Sequence, residues 1–356
     1  MPDEIGAGIV GAGFGARVHL PGLRRLDDVR VRGIAATNLE RAGQAAGPAG
    51  IDAYDDYRRL LDRPDVQLVT VAAPAPFHHE IVLAALERGK HVICEKPFAG
   101  SVAQAEDMLR RAQTAGVVHA VDFEFRYFAP RQQLRALLAD GYVGRPRLFS
   151  ALVLSPMRAD PVRPVPAWSV RREGLGGPLG AIGVHVMDAA CLLLGEVAGL
   201  SAQLDQFFAE RAIPGGQTVP ATCEDRFAAL LRFREGALGN VECCYAASQG
   251  CHRMELHGDE GSLVVPDHRT LLGARGGGEL APLPIDGRFR PAGGWLPPAG
   301  SPDHLAPFAE LAGRVVARIR GEDAGEFPNF EDGLRSQRLV DAVFRSAASG
   351  CAVDVG

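Results

Sequence analysis

Ala7-Gly8-Ile9-Val10-Gly11-Ala12-Gly13-Phe14-Gly15-Ala16 is the stretch on which the fold turns. A short run of small and apolar residues leads straight into the pattern G-x-G-x-x-A, and a helical pattern continues after it. Gly11 permits a tight turn. Gly13 lets backbone amides come close to a pyrophosphate, and Ala16 is small enough to keep a helix against the strand. Alone the pattern is weak. Its place after a first strand, at the opening of a βαβ unit, is the context that gives it meaning. Gly11, Gly13, Phe14, Gly15 and Ala16 are therefore expected to cradle a dinucleotide.

The chain around this loop repeats the same alternation. Apolar runs at 7–10, 29–36, 66–73, 91–94 and 117–121 are separated by amphipathic stretches such as 76–87 and 102–113. In the first of these stretches Phe77, Ile81, Ala84 and Ala85 share one face. Strand alternating with helix predicts an α/β fold with a doubly wound parallel sheet, assigned to a nucleotide-binding domain over residues 1–123. Beyond Tyr127 the pattern changes. A helix (130–140) leads to a strand (147–154), a Pro-rich stretch (156–166), a Gly-rich turn (174–180) and an apolar helix (183–194). Residues 227–265 read as antiparallel strands, 272–302 as a surface excursion, and 304–320 and 330–348 as helices. Residues 124–356 are thus expected to form a second α/β domain on a large, mostly antiparallel open sheet. One face of that sheet is expected to stay apolar and bury itself in a homodimer or homotetramer.

Composition narrows the partners. A net charge of −5 without a long basic run gives no footprint for nucleic acid. The start, Met1-Pro2-Asp3-Glu4-Ile5, lacks the basic and apolar regions of a signal peptide. The apolar runs are too short to span a bilayer. A cytoplasmic setting is expected. The seven cysteines are scattered and contain no C-x-x-C pair, which suits reduced thiols. Cys243, Cys244, Cys251, His252 and His257 lack metal-knuckle spacing, and adjacent strand residues face opposite ways, so no metal is expected.

Two further features carry chemistry. Lys and Arg together number 38, yet the only lysines are Lys90 and Lys96. Where arginine serves as the general positive charge, a retained lysine is marked, because its ammonium can exchange a proton near neutrality and guanidinium cannot. Lys96 follows the strand 91–94 in Cys94-Glu95-Lys96-Pro97, at the strand end where a parallel sheet presents its chemistry. At the end of the second strand, where an acid would bond the ribose 2′-hydroxyl of NAD, the chain has Ala35-Ala36-Thr37-Asn38. Without that carboxylate a 2′-phosphate is not repelled, and Thr37 and Asn38 can donate to it. NADP is therefore expected in preference to NAD.

These residues together resemble the glucose–fructose oxidoreductase / inositol dehydrogenase / rhizopine catabolism family. The resemblance includes the loop with His19 and Pro21, then Ala73-Pro74 with His78, and Glu95-Lys96-Pro97. It continues through Trp168, Gly176-Gly177, Gly183-Val184-His185 with Asp188, Glu224-Asp225 and Glu331-Asp332-Gly333. It implies a Rossmann domain joined to an open-sheet domain, with the active site over the nicotinamide. It also implies a sugar or cyclic polyol as substrate, a cis bond before Pro97, and Lys96 and His185 assisting hydride transfer. Ala73, Pro74, His78 and Glu95 would lie on the cofactor side, and Arg126 and Trp168 on the substrate side. The chain departs from the family pattern in three places. Ala73-Pro74-Ala75 stands where Thr-Pro-Asn is usual after the fourth strand. Ala181 stands where an Asp is usual, four residues before His185. Glu124, in Phe123-Glu124-Phe125-Arg126, stands where a neutral residue is usual. Glu124 is accordingly a candidate to do the missing acid's work, or else a structural partner of an arginine.

The expected chemistry is removal of hydride from carbon by the nicotinamide and of a proton from oxygen by Lys96, with His185 beside it. Two other readings compete. One is a cofactor-binding regulator without catalysis. The other is a glycoside-cleaving enzyme that oxidises a sugar carbon transiently and returns the hydride.

Overall fold

The computed structural model describes residues 4–290 and 303–356. The chain divides into two compact units. One is Met1–Tyr127 with Pro291–Gln337, and the other is Phe128–Arg290 with Arg338–Gly356.

The first unit is built on six parallel strands: β1 (Ile5–Val10), β2 (Val29–Ala35), β3 (Asp52–Tyr54), β4 (Leu68–Val71), β5 (His91–Cys94) and β6 (His119–Val121). Their order is β3-β2-β1-β4-β5-β6. The order reverses between β1 and β4, where Val10 pairs with Val71. In such sheets ligands bind at the carboxyl ends of the strands beside that reversal. β1 and β4 are buried along their whole length, as strands covered on both faces must be. The crossover helices are α1 (Leu20–Leu23), α2 (Leu39–Ala46), α3 (Tyr57–Leu61), α4 (His78–Glu87) and α5 (Val102–Ala115). Asn38, Asp56 and Ser101 cap α2, α3 and α5 with side-chain oxygens. The shared face expected for Phe77 with Ile81, Ala84 and Ala85 is not kept. Phe77 lies in the turn before α4 and is exposed, while Ile81 and Ala85 are buried.

The second unit opens with α6 (Ala129–Ala139) and carries α7 (Val184–Leu194). Its large sheet contains β7 (Pro146–Leu154), β8 (Val197–Asp205), β11 (Arg226–Phe233), β12 (Leu238–Cys244), β13 (Cys251–Gly258) and β14 (Gly261–Val265). β9 (Glu210–Ile213) and β10 (Gln217–Pro220) form a separate antiparallel ribbon. Part of the surface excursion expected over 272–302 is sheet: β15 (Leu272–Arg275) pairs with β14, and β16 (Ala281–Pro282) with β15. Residues 291–302 lie outside the described residues. With β17 (Val353–Asp354) the order is β16-β15-β14-β13-β7-β12-β11-β8-β17, antiparallel except for β7 against β12. α7 is buried almost throughout, as its all-round apolar sequence requires. The stretch Arg172–Leu194 is long and apolar enough to cross a membrane, and most of it is buried inside the protein.

α8 (Leu305–Ile319) belongs to the first unit, although a boundary at 123/124 places it in the second. Its buried residues Leu305, Phe308, Leu311, Ala312, Val315, Val316 and Ile319 recur at helical spacing. All of these but Leu305 complete a core with Ile5, Ala7, Ile9, Val18, Leu23 and Val31. The division between units then falls inside the last helix, α9 (Phe330–Ser349).

Candidate active site

Gly11 closes the first strand with φ of +118°, and a Cβ there would sit 2.3 Å from the Ala72 carbonyl oxygen. Only glycine fits such a place. A Cβ on Gly13, in contrast, would meet no atom within 4 Å. The loop therefore has an open side at the end of β1, beside the strand-order reversal, as a bound pyrophosphate needs. The tight contact between helix and strand lies at Gly15 rather than Ala16. A Cβ on Gly15 would meet the Ile9 side chain at 2.8 Å, whereas Ala16 is half-buried. No carboxylate stands at Ala35–Asn38. The Asn38 oxygen accepts from Arg41 N at 2.9 Å, which leaves its amide nitrogen as the donor group.

The two lysines separate by role. Lys90 donates to the carbonyl oxygens of Arg63 and Val66, at 2.9 and 2.7 Å, and ties the chain ahead of β4. Lys96 lies at the end of β5, half-buried, in a Lys96–Pro97 bond that is cis. His78 is fully buried between the loops after β4 and β5. Its Nε2 lies 2.7 Å from the Ala73 oxygen and its Nδ1 3.0 Å from the Pro97 oxygen. Burial holds His78 below the ordinary imidazole range, so the ring is neutral at pH 7 and fixes these two loops to one another. It acts as a tie beneath the expected cofactor side.

Glu95 points inward. Its Oε1 lies 2.9 Å from His19 Nε2, and the same nitrogen lies 3.2 Å from Asp122 Oδ2. His19 stacks on Phe308 of α8, with centroids 4.2 Å apart and planes 2° from parallel. Burial would raise both carboxyl groups. For Glu95 the hydrogen bond and charge of His19, the charge of Lys96 and a hydrogen bond with Asp122 outweigh burial and hold it at about 2. For Asp122, burial and the nearby Glu124 and Glu95 charges push the carboxyl well up. One carboxylate and one carboxylic acid thus share the space beside a single imidazole.

Glu124, two residues on, is buried in the turn Glu124–Tyr127. Its Oε1 is in ion-pair contact with Nδ1 of His304, at 3.1 Å. The His304 ring stacks on Phe125 at 5.3 Å and meets Phe14 of the phosphate loop edge-on at 5.7 Å. Arg126 is engaged with Asp332 at 3.0 Å.

The second unit carries the remaining candidates. His185 is the second residue of α7, and Asp188 follows on the same helix face; both are buried. Ala181, in the turn before them, brings a methyl group where the family pattern has a carboxylate. The glycines before α7 serve close packing. A Cβ on Gly176 would lie 2.3 Å from Ser169 Cα, and one on Gly177 would lie 2.2 Å from a Glu224 oxygen. Glu224 in turn accepts from Leu179 N at 3.0 Å. The Gly-rich turn is thereby locked to the short turn Ala167–Val170, which holds Trp168 with its side chain partly in solvent.

Sequence reasoning missed Asp122 and His304 and saw His19 only as a matched position. Asp122 had a readable signal, an acid directly after an apolar strand. His304 had none, because its partner lies 180 positions away and only the fold joins them.

The phosphate cradle, the parallel sheet and the lysine at a strand end define a nicotinamide-dependent oxidoreductase. Comparison with known proteins agrees. A family model described as "Oxidoreductase family, NAD-binding Rossmann fold" matches residues 5–123, and one for the GFO/IDH/MocA C-terminal domain matches 131–264. The chain is 29% identical to levoglucosan dehydrogenase of Pseudarthrobacter phenanthrenivorans, over 99% of this chain and 98% of that one. It is 30% identical to D-glucoside 3-dehydrogenase of Escherichia coli, over 98% and 96%. A solved levoglucosan dehydrogenase in complex with NADH and L-sorbose superposes with a TM-score of 0.90 at 29% identity, covering all of both chains. The protein belongs to the GFO/IDH/MocA family and is an NAD(P)-dependent oxidoreductase acting on CH–OH groups.

Proposed function

We propose that the substrate is a sugar, cyclic polyol or related compound, and that Lys96 exchanges the proton of its reacting hydroxyl. A bound nicotinamide supplies the hydride acceptor or donor. Lys96 holds the reacting oxygen by hydrogen bond and takes its proton in oxidation or returns it in reduction. His185 assists, since imidazole titrates near neutrality. The observation that carries the reading is the open cradle at Gly13, placed at the strand-order reversal with Lys96 at the end of the same sheet. The names of the relatives supply the substrate class. NADP is the cofactor we assign in preference to NAD, on the absence of an acid from Ala35 to Asn38. The test is a panel of sugars and polyols with NAD⁺ and NADP⁺, followed at the reduced-nicotinamide absorbance. Reduction should be faster with NADP⁺, and Ala36→Asp should shift it toward NAD⁺. No absorbance change with any sugar would sink the dehydrogenase reading, and aglycone release without net absorbance change would replace it with transient-oxidation glycoside cleavage.

We also infer a symmetric dimer or a larger homo-oligomer through the open sheet of the second unit. Leu230, Leu238 and Leu148 are 64%, 55% and 40% exposed on three neighbouring strands. Leu238 pairs directly with Leu148. Charged pairs rim them, with Arg226 bound to Asp205 and Glu242 on one side and Arg232 to Asp354 on the other. An apolar centre with a polar rim is the make-up of a protein interface. A cytoplasmic setting goes with this proposal, and cell fractionation tests it.

A further inference from the structure

Two buried arginines of the second unit are joined by a hydrogen bond. Arg158 is 4% exposed and Arg211 1%. Arg211 Nη2 donates to Asp225 Oδ1 at 2.6 Å and to the Arg158 carbonyl oxygen at 3.0 Å. The other Asp225 oxygen accepts from Phe207 N and Phe208 N, at 2.8 and 3.1 Å. The Arg158 side chain then reaches the short turn Ala167–Val170. Its Nη2 donates to the Ser169 carbonyl oxygen at 3.0 Å, and its Nη1 to Cys223 Sγ at 3.3 Å. Burial pushes the Cys223 thiol up, so it stays protonated at pH 7 and donates to the same Ser169 oxygen at 3.3 Å. An ion pair as deep as Arg211–Asp225 adds little net stability over apolar packing, because both charges give up their water. What a guanidinium adds is direction, since its N–H groups form a rigid planar fork.

The backbone that this fork grips is the one that carries Trp168. Ser169 is buried, while Trp168 is 44% exposed, so a large aromatic ring reaches solvent from a backbone fixed on its inner side. The same turn lies against the Gly-rich turn that leads to His185, and a Cβ on Gly174 would sit 2.1 Å from the Trp168 carbonyl oxygen. The apolar C–H face of a sugar ring suits such a surface, and small-molecule sites combine aromatic walls with a few placed polar groups. We propose that Arg158, braced by Arg211, is a positioning residue that holds Trp168 as the wall against which the sugar ring lies. The inference deepens the proposed function and rests on it for the substrate class and for the place of His185. It also gives the separate ribbon a task. Arg211 lies on β9, and Ala212 beside it exchanges backbone hydrogen bonds with Val165 and Pro161, so the ribbon holds the Pro-rich stretch between Arg158 and Trp168.

The first measurement needs no substrate. The chain has two tryptophans, and Trp295→Phe leaves Trp168 as the single indole. In that full-length background Arg158→Met, which keeps a long side chain without the fork, should add a fast component to the decay of Trp168 fluorescence anisotropy. Arg158→Lys keeps the charge but grips a single acceptor, so it should show a smaller change in the same direction, and it decides the matter if Arg158→Met does not fold. The second measurement uses the panel sugar turned over fastest. Arg158→Met should raise KM for that sugar about tenfold, the low end for a changed pocket contact, with kcat and the KM for the cofactor little altered. Trp168→Ala should raise it to a similar degree, and the two changes together should add little to either alone. Anisotropy unaltered in both Arg158 variants would overturn the proposal. So would an unchanged KM in Trp168→Ala, or effects on KM that multiply, as two independent structural roles would give. Turnover of no sugar by the parent enzyme would defeat the dehydrogenase reading instead, and the anisotropy would still decide whether Arg158 holds Trp168.

Discussion

His19 and His185 occupy similar local settings in the two units and differ in what surrounds them. Each is a buried histidine where a wide helical turn passes into a helix: His19 ends the turn Gly15–His19 before α1, and His185 follows the turn Leu179–Gly183 at the start of α7. His19 has two carboxyl groups on one ring nitrogen. The position before His185 where the family pattern sets a carboxylate holds Ala181. The difference teaches that a wide turn leading into a helix can bury a histidine without fixing which residues surround it. In this chain the first unit sets Glu95 and Asp122 on His19 and Glu124 beside His304.

The strongest way to break this comparison is to disable each side separately. Lys96→Arg should cost at least ~10²-fold in turnover, since it keeps the charge but loses the titratable ammonium. Binding of the cofactor, measured by titration, should change little. His185→Asn should lower turnover less and flatten the pH profile near neutrality. Glu124→Gln then decides where the work of the missing Asp went. A large loss makes Glu124 the substitute, and near-normal turnover leaves it a structural partner of His304.

A second test asks whether the second unit's larger task is assembly. Leu230→Asp combined with Leu238→Asp sets charge in the middle of the apolar face and should convert the oligomer to monomer in sedimentation. An unmodified protein that is already monomeric at micromolar concentration would remove the proposal.

The smallest expected effect concerns stability around His19. Asp122 is held above its ordinary value in the folded state, so its protonated form stabilises the fold fully below the ordinary carboxyl range. That stability is lost as pH rises toward the raised folded value. Asp122→Asn cannot ionise, so its Tm should gain on that of the parent between pH 5 and pH 8, by about 2–4 °C for each ~1 kcal/mol involved. Glu95 has the opposite sign. Its contribution is present above the ordinary value and is lost as pH falls toward about 2. A Tm difference that does not change with pH would show that Asp122 is ionised in the fold.

Much of the first unit was legible in the sequence because its signals are local. A strand, a glycine turn and a helix start follow each other within ten residues from Ala7 to Ala16, and Lys96 stood out by composition alone. The alternation of apolar runs located five of the six strands to within a few residues, since a buried parallel strand must be apolar throughout, and missed β3, a short edge strand that is not fully buried. What escaped was set by distant parts of the chain. β15 and β16 are edge strands in a Gly- and Pro-rich region, where pairing with β14 rather than side-chain pattern makes them strands. The glycines before α7 read only as a turn, yet Gly176 and Gly177 are required by the backbone at Ser169 and by Glu224. The contact between Glu124 and His304 leaves no trace in periodicity, because neither residue lies on an amphipathic face that names the other.

The return of α8 to the first unit has a consequence for how the protein is made. Phe128–Arg290 leaves the ribosome before Leu305–Ile319 does, so the apolar surface of Ile9, Val18 and Leu23 waits for its cover while another unit is synthesised. A fragment cut after Phe123 would hold every glycine of the phosphate loop and still lack the helix that seals its core. In this protein the nucleotide-binding unit draws on both ends of the chain and is completed late in synthesis.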